Sequence, residues 1–147
     1  PKKALFLDEA MHNNLYDFGV LLGIAFQIQD DYLDVFANPE SFGKQLGGDI
    51  IENKKTILYH QAMENGSSKE KTTLRNWFSV EVKEKDVSKK INAVKSLFDK
   101  TGASDASKAL VIKYTQAAFE KLDILDISDN NKIIFKTFGT NLMERKF

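Results

Sequence analysis

Apolar residues recur along the chain at helical spacing, and no long segment shows the two-residue alternation that is typical of a β-strand. The pattern predicts an all-α protein with about six helices joined by short loops, arranged as a bundle in one domain over residues 1–147. The predicted helices cover about residues 8–36, 49–66, 67–78, 86–102, 104–122 and 130–146.

Local start and stop signals support several of these boundaries. Asp49 is the expected N-cap of the second helix, and Gly66 its expected end. Ser67 and Glu70 have the spacing of a capping box at the start of the third helix. Gly102 is the expected stop of the fourth.

Composition narrows the possible partners and location. The chain has 21 basic and 21 acidic residues, so no net field attracts nucleic acid or an anionic membrane. Its longest apolar run, residues 18–26, is too short to cross a bilayer. The absence of cysteine fits a reducing compartment, and no signal peptide is visible. We therefore expect a cytoplasmic protein with no membrane span and no nucleic-acid partner.

The segment FQIQDDYLD places three carboxylates on one face of the first predicted helix. Relative to Gln27, the side chains of Asp30, Asp31 and Asp34 point at about −60°, +40° and −20°. The residues that precede them on this face are Tyr16, Gly19 and Gly23. In one interpretation the glycines admit a neighbouring helix and the aspartates are merely solvated.

A second interpretation assigns this face to a metal ion. The three carboxylates repel one another, and they lie toward the C-terminal end of the helix, where the helix dipole also disfavours negative charge. A divalent cation would relieve both penalties, and oxygen ligands select a hard ion such as Mg²⁺. Lys44 and Lys54 follow the acids and offer compact positive charges for phosphate oxygens. Together these residues indicate a metal–diphosphate site.

Residues 23–56 resemble the second aspartate-rich region of the trans-isoprenyl diphosphate synthases. The matching pattern is G-x-x-F-Q-x-x-D-D-x-x-D, then G-K-x-x-G-x-D, then K-x-T. The resemblance implies the C-terminal half of the isoprenoid-synthase helical bundle. It also implies a Mg²⁺-dependent prenyltransferase that condenses an allylic diphosphate with isopentenyl diphosphate.

The resemblance also implies roles for individual residues. Asp30 would be the principal Mg²⁺ ligand, Asp34 would support it directly or through water, and Asp31 would lie just behind them. Lys44 and Lys54 would bind the allylic diphosphate. The residues expected to line the reaction centre and the cavity beneath it are Phe26, Gln27, Tyr16, Gly19 and Gly23.

One part of the family pattern is absent. The first aspartate-rich motif, its arginines and the isopentenyl-diphosphate pair do not occur in these 147 residues. We therefore expect little or no synthase activity from this chain alone, and either self-association or a partner that supplies the N-terminal half. The alternative is a non-catalytic helical subunit, derived from the same fold, with a regulatory or interaction role.

Overall fold

A computed structural model describes residues 9–38 and 46–144. Regular structure in these ranges is entirely helical, which confirms the predicted fold class. The α-helices within these two ranges are α1 (Glu9–Phe36), α2 (Gly48–Ile51), α3 (Ile57–Asn65), α4 (Ser68–Trp77), α5 (Val87–Lys100), α6 (Ala103–Asp123) and α7 (Asp129–Met143), with a 3-10 helix at Glu84–Asp86. None of the helices in the described ranges has the length and apolarity needed to span a bilayer.

Several predicted boundaries are confirmed by specific contacts. The Ser67 hydroxyl accepts a hydrogen bond from the backbone N–H of Glu70, and the Glu70 carboxylate accepts one from the backbone N–H of Ser67. This capping box satisfies two of the donors that a helix start leaves free. Gly102 has a φ of 73°, a left-handed conformation that glycine adopts without strain, and α5 ends just before it.

The prediction of one continuous helix over residues 49–66 is wrong. The chain forms the short helix α2, a turn, and then α3. Gly47, with a φ of 82°, is the N-cap residue of α2, whereas Asp49 lies inside the helix. The turn contains Asn53, whose φ of 57° is incompatible with a right-handed helix. Apolar periodicity continues through this segment because Ile50 and Leu58 are both buried in one core.

Hydrogen bonds at the end of α2 form a Schellman motif. The N–H of Lys54 donates to the carbonyl of Asp49 at 2.9 Å, and the N–H of Asn53 donates to that of Ile50 at 3.2 Å. Asn53 occupies the left-handed position, which asparagine tolerates better than most residues. The motif therefore fixes the direction in which the chain leaves α2, and Lys54 is its last residue.

The contacts divide the chain into two compact units. The described part of the first unit is residues 9–26 and 111–144, and that of the second is residues 27–38 and 46–110. That residues 1–147 form one domain stays a prediction.

The second unit has the larger core. Helix α5 contacts α2, α3 and α4, and its residues Val94 and Phe98 are buried. Further fully buried members of this core are Leu33, Ile50, Leu58 and Leu74. Burial of these side chains holds the last part of α1 and the α2 turn in one compact unit, which also contains Asp30, Asp31 and Asp34.

The first unit has a smaller core. It is formed by Phe18, Leu22, Ala118, Leu122 and Leu125. A Cβ atom at Gly139 of α7 would lie 2.9 Å from the Phe119 ring, so glycine permits the close approach of α7 to α6. An ion pair of 2.9 Å between Asp17 and Lys121 joins α1 to α6 within this unit.

Candidate functional site

Asp34 holds the start of α2 against α1. Its backbone carbonyl accepts a hydrogen bond from the N–H of Gly47 at 2.7 Å. Its carboxylate Oδ2 accepts one from the N–H of Asp49 at 3.0 Å. A Cβ atom at Gly48 would lie 3.3 Å from Asp34 Oδ1, so a glycine at this position leaves room for the carboxylate. Residues 15 positions apart are thereby brought into one site.

Lys54 joins the acids of α1 and α2. Its ammonium lies 3.2 Å from Asp31 Oδ1, and 3.2 Å and 3.1 Å from the two carboxylate oxygens of Asp49. The side chain of Lys54 is 48% exposed, whereas those of Asp31 and Asp49 are 10% and 19% exposed. In a Schellman motif the residues at the positions of Asp49 and Lys54 often make a hydrophobic contact. Here they form an ion pair instead, which points the ammonium at Asp31.

Gln27 completes the environment of Asp31. Its side-chain amide donates to Asp31 Oδ1 at 3.0 Å, so that oxygen accepts from both Gln27 and Lys54. The contact spans one helical turn and confirms that Gln27 and Asp31 share a face. Asp31 is buried, so it depends on these two donors for its stabilisation.

The described residues of the site carry more negative than positive charge. Burial raises the pKa of Asp34 and the charge of Asp49 adds to this effect, although hydrogen bonds from the backbone and the nearby Lys54 act in the opposite direction. Burial lowers the pKa of Lys54, but its hydrogen bonds to Asp49 and Asp31 outweigh this effect and raise it overall. In the described part of the site, Asp31, Asp34 and Asp49 thus surround the one ammonium of Lys54, and an added cation would reduce this surplus of negative charge.

The donor set fits a hard cation that keeps most of its own water. Asp30 directly precedes Asp31 on α1 and is exposed. Asp34 is half-buried, and one of its carboxylate oxygens accepts a hydrogen bond from the Asp49 N–H. Among the residues that the structure describes, no three His, Cys, Asp or Glu side chains converge closely enough to enclose a metal ion. Mg²⁺ is commonly bound by one or two carboxylates together with water and substrate phosphates. These acids match that mode and do not form a closed protein cage.

The structure brings together four of the residues predicted for the site: Gln27, Asp31, Asp34 and Lys54. Lys44, the other predicted diphosphate ligand, lies outside the described residues. Asp49 was predicted only as a helix cap, and its part in the site was missed. The signal in the sequence was Asn53, which marks a helix end and places Asp49 and Lys54 at the two ends of a Schellman motif.

The predicted cavity-wall residues belong to the first unit. Phe26 is half-buried, whereas Tyr16 is 67% exposed. Gly19 and Gly23 are also exposed, and a Cβ atom at either would meet nothing within 4 Å. Within the described residues, these glycines therefore do not serve close helix packing, which was the alternative interpretation of their spacing.

A groove of about 510 Å³ lies beside Gly19 in the first unit. Its lining is almost wholly apolar and consists of Leu15, Phe18, Gly19, Ile134, Phe135 and Phe138. Such a surface can bind a hydrocarbon chain but has few polar atoms to bind a charged group.

The polyprenyl synthetase family model matches residues 3–97, which include the whole acidic site. A short chain isoprenyl diphosphate synthase of Methanothermobacter thermautotrophicus is 35% identical over 115 residues, covering 78% of this chain and 34% of that protein. The chain thus spans about a third of the length of this relative.

Solved structures agree with the sequence relatives. A geranylgeranyl pyrophosphate synthase is 40% identical, with a TM-score of 0.84 over 95% of this chain and 43% of that one. The Corynebacterium glutamicum enzyme, complexed with isoprenyl diphosphate and magnesium, is 27% identical, with a TM-score of 0.79 over 95% of this chain and 39% of that one. These likenesses confirm the predicted isoprenoid-synthase fold. With its acidic site inside the matched segment, the chain belongs to the polyprenyl synthetase family.

Proposed function

We propose that this chain supplies the second aspartate cluster and a diphosphate-binding lysine of a Mg²⁺-dependent trans-prenyltransferase. The reaction would condense an allylic diphosphate with isopentenyl diphosphate. The observation that carries the proposal is the position of the Lys54 ammonium between Asp31 and Asp49, inside the segment matched by the family model. A relative complexed with isoprenyl diphosphate and magnesium supports the choice of ligand.

Asp30 and Asp34 are the residues that would hold Mg²⁺. When bound, the metal would neutralise charge on the diphosphate as it leaves the allylic carbon. Lys54 would turn its half-exposed ammonium from the carboxylates to a diphosphate oxygen, while Gln27 continues to donate to Asp31. The lysine would thus stabilise the leaving group without any change in the fold of the α2 turn.

An apolar wall would protect the allylic cation. We assign Phe26, Tyr16 and Gly23 to this wall, and Gln27 to the substrate site. Water must be excluded from a carbocation, and carbon surfaces do this without offering a nucleophile. The absence of a Cβ atom at Gly23 leaves space there that a prenyl chain could occupy.

Exposed apolar residues support the need for a further polypeptide. Among the described residues, eight large hydrophobic side chains of the first unit are exposed: Tyr16, Val20, Ile24, Ile112, Ile124, Ile133, Ile134 and Phe138. Exposed apolar patches of this kind mark interaction surfaces. We propose that they are covered by a polypeptide carrying the first aspartate-rich motif or by a second copy of this chain, and that the isolated chain has little or no activity. The same surface would serve the alternative, a non-catalytic helical subunit.

A chimera tests the proposed activity. The 115 residues of this chain that match the Methanothermobacter thermautotrophicus synthase replace the corresponding region of that protein, and turnover of allylic and isopentenyl diphosphates is measured with Mg²⁺. We expect the chimera to be active and Lys54→Met to reduce turnover by about 100-fold, the order seen when one charge-stabilising donor is lost. Lys55→Met is the matched control, since its ammonium lies over the Tyr59 ring instead. A folded but inactive chimera would contradict the proposal.

Assay of the isolated chain tests the second part of the proposal. Without a first aspartate-rich motif, we expect no significant turnover under the conditions in which the chimera is active. Robust turnover by the isolated chain would show that the acids described here suffice.

A further inference from the structure

Lys90 of α5 is fully buried, although lysine is ordinarily a charged surface residue. Its side chain has 0% exposure, and among the described residues it is one of the largest side chains to be completely enclosed. Lysine is almost never fully buried unless its ammonium is satisfied by partners. The contacts of this ammonium are therefore a guide to its role.

The Lys90 ammonium meets neutral partners. It donates to the side-chain carbonyl of Asn53 and lies 3.5 Å from the backbone carbonyl of Val80. The Asn53 amide group donates to the same Val80 carbonyl at 3.5 Å. The ammonium also lies 5.9 Å from the centre of the Phe78 ring, within the range of a cation–π contact. Lys90 thus links the turn after α2 to the segment that follows α4.

Asn53 is the residue that sets the turn. Among the described residues it is the only non-glycine residue with a positive φ, and it immediately precedes Lys54. A left-handed conformation outside glycine is unfavourable and requires support from its surroundings. The hydrogen bond from Lys90 supplies such support, because it holds the Asn53 side chain from the core side of the turn.

We propose that Lys90 is a positioning residue for Lys54, acting through Asn53. The buried ammonium holds Asn53 in the conformation that closes α2 and directs the Lys54 side chain at Asp31 and Asp49. The structural part of this proposal stands on the contacts alone, and its consequence for ligand binding rests on the proposed function. Burial lowers the pKa of Lys90.

Amide hydrogen exchange on the 147-residue chain tests the structural part. The N–H groups of Lys54 and Thr56 close this turn, since they donate to the carbonyls of Asp49 and Lys54. Lys90→Met retains the apolar stem and removes the ammonium. We expect it to lower the protection of the two amides by about tenfold, a ratio that corresponds to about 1.4 kcal/mol.

Variants of Asn53 separate positioning from a general loss of stability. Asn53→Gly adopts the left-handed turn without support, so adding Lys90→Met to Asn53→Gly should not lower the protection of the two amides further. Asn53→Asp retains an acceptor, so their protection should persist. Lys89→Met, at the exposed neighbour of Lys90, is the matched control. Unchanged protection in Lys90→Met, or an equal loss at the buried α5 residue Val94, would overturn the proposal.

A titration with inorganic pyrophosphate and Mg²⁺ distinguishes this proposal from the proposed function. We expect Lys90→Met to weaken pyrophosphate binding about tenfold while Lys89→Met leaves it unchanged. Equal affinity in Lys90→Met and the native chain would overturn the positioning role. If the native chain binds no pyrophosphate but Lys90→Met still lowers the protection of the two amides, the proposed function fails and the positioning of Asn53 by Lys90 is supported.

Discussion

Replacement of Lys54 by methionine is the most informative change to the site. The variant retains the apolar stem but removes the ammonium that pairs with Asp31 and Asp49. Asp31 is left with Gln27 as its donor inside a largely buried position, and its repulsion by Asp49 is no longer offset. We therefore expect Lys54→Met to destabilise the chain in the absence of metal.

The magnitude follows from the exposure of the two partners. Exposed ion pairs contribute about 0.2–1 kcal/mol, whereas removal of one partner of a buried pair costs about 3–5 kcal/mol. Lys54 is 48% exposed and Asp31 only 10%, so solvent screens this pair from one side. We expect a loss of about 1–2 kcal/mol in the free energy of unfolding, between these limits.

Urea unfolding of a double-mutant cycle measures this quantity. The cycle combines Lys54→Met with Asp31→Asn, and the coupling energy should be about 1 kcal/mol because the two groups touch. Lys55→Met is the control for the loss of a neighbouring lysine. A coupling energy near zero, or an equal loss in Lys54→Met and Lys55→Met, would refute the claim that the site depends on this ammonium.

Two further predictions concern the open glycines and the buried acid. Gly23→Ala should raise the free energy of unfolding by about 0.5–1 kcal/mol, because the new methyl group meets no other atom. Gly139→Ala should lower it, because the new methyl group would contact Phe119. Thermal unfolding of both variants checks this pair of predictions, and a loss of stability in Gly23→Ala would contradict the first. Asp34 has a raised pKa in the folded state, so its contribution to stability is fully present below the ordinary value of 3.8 and is lost as the pH rises through the folded value. Asp34→Asn in metal-free buffer should therefore gain stability relative to the native chain between acidic and neutral pH, and a pH-independent difference in urea unfolding would contradict this.

The sequence was sufficient for those parts of the fold that depend on local signals. The end of α1, the Ser67 capping box and the Gly102 stop were predicted from periodicity and capping chemistry. The break between α2 and α3 was missed. Its cause is the left-handed Asn53, and the residues on both sides continue a helical apolar pattern because tertiary packing buries them in one core.

The site was predictable only in part for a related reason. The shared face of Gln27 and Asp31 follows from helix geometry, and the structure confirms it by a hydrogen bond. The pairing of Lys54 with Asp31, across 23 residues, depends on the turn after α2 and could not be derived from spacing. Lys90 had the sequence pattern of a surface residue in an amphipathic helix. Its burial results from the positions of Asn53 and Val80, which are distant from it in the sequence.

The central claim is that the acids and Lys54 form a site for a magnesium-bound diphosphate group. Thermal unfolding of the native chain with inorganic pyrophosphate, in the presence and absence of Mg²⁺, tests this most directly, because a ligand at ten times its dissociation constant stabilises the folded state by about 1.4 kcal/mol. We predict a rise in Tm only when Mg²⁺ and pyrophosphate are present together, and its loss in Lys54→Met. No rise with both ligands, or the same rise in Lys54→Met, would contradict the account.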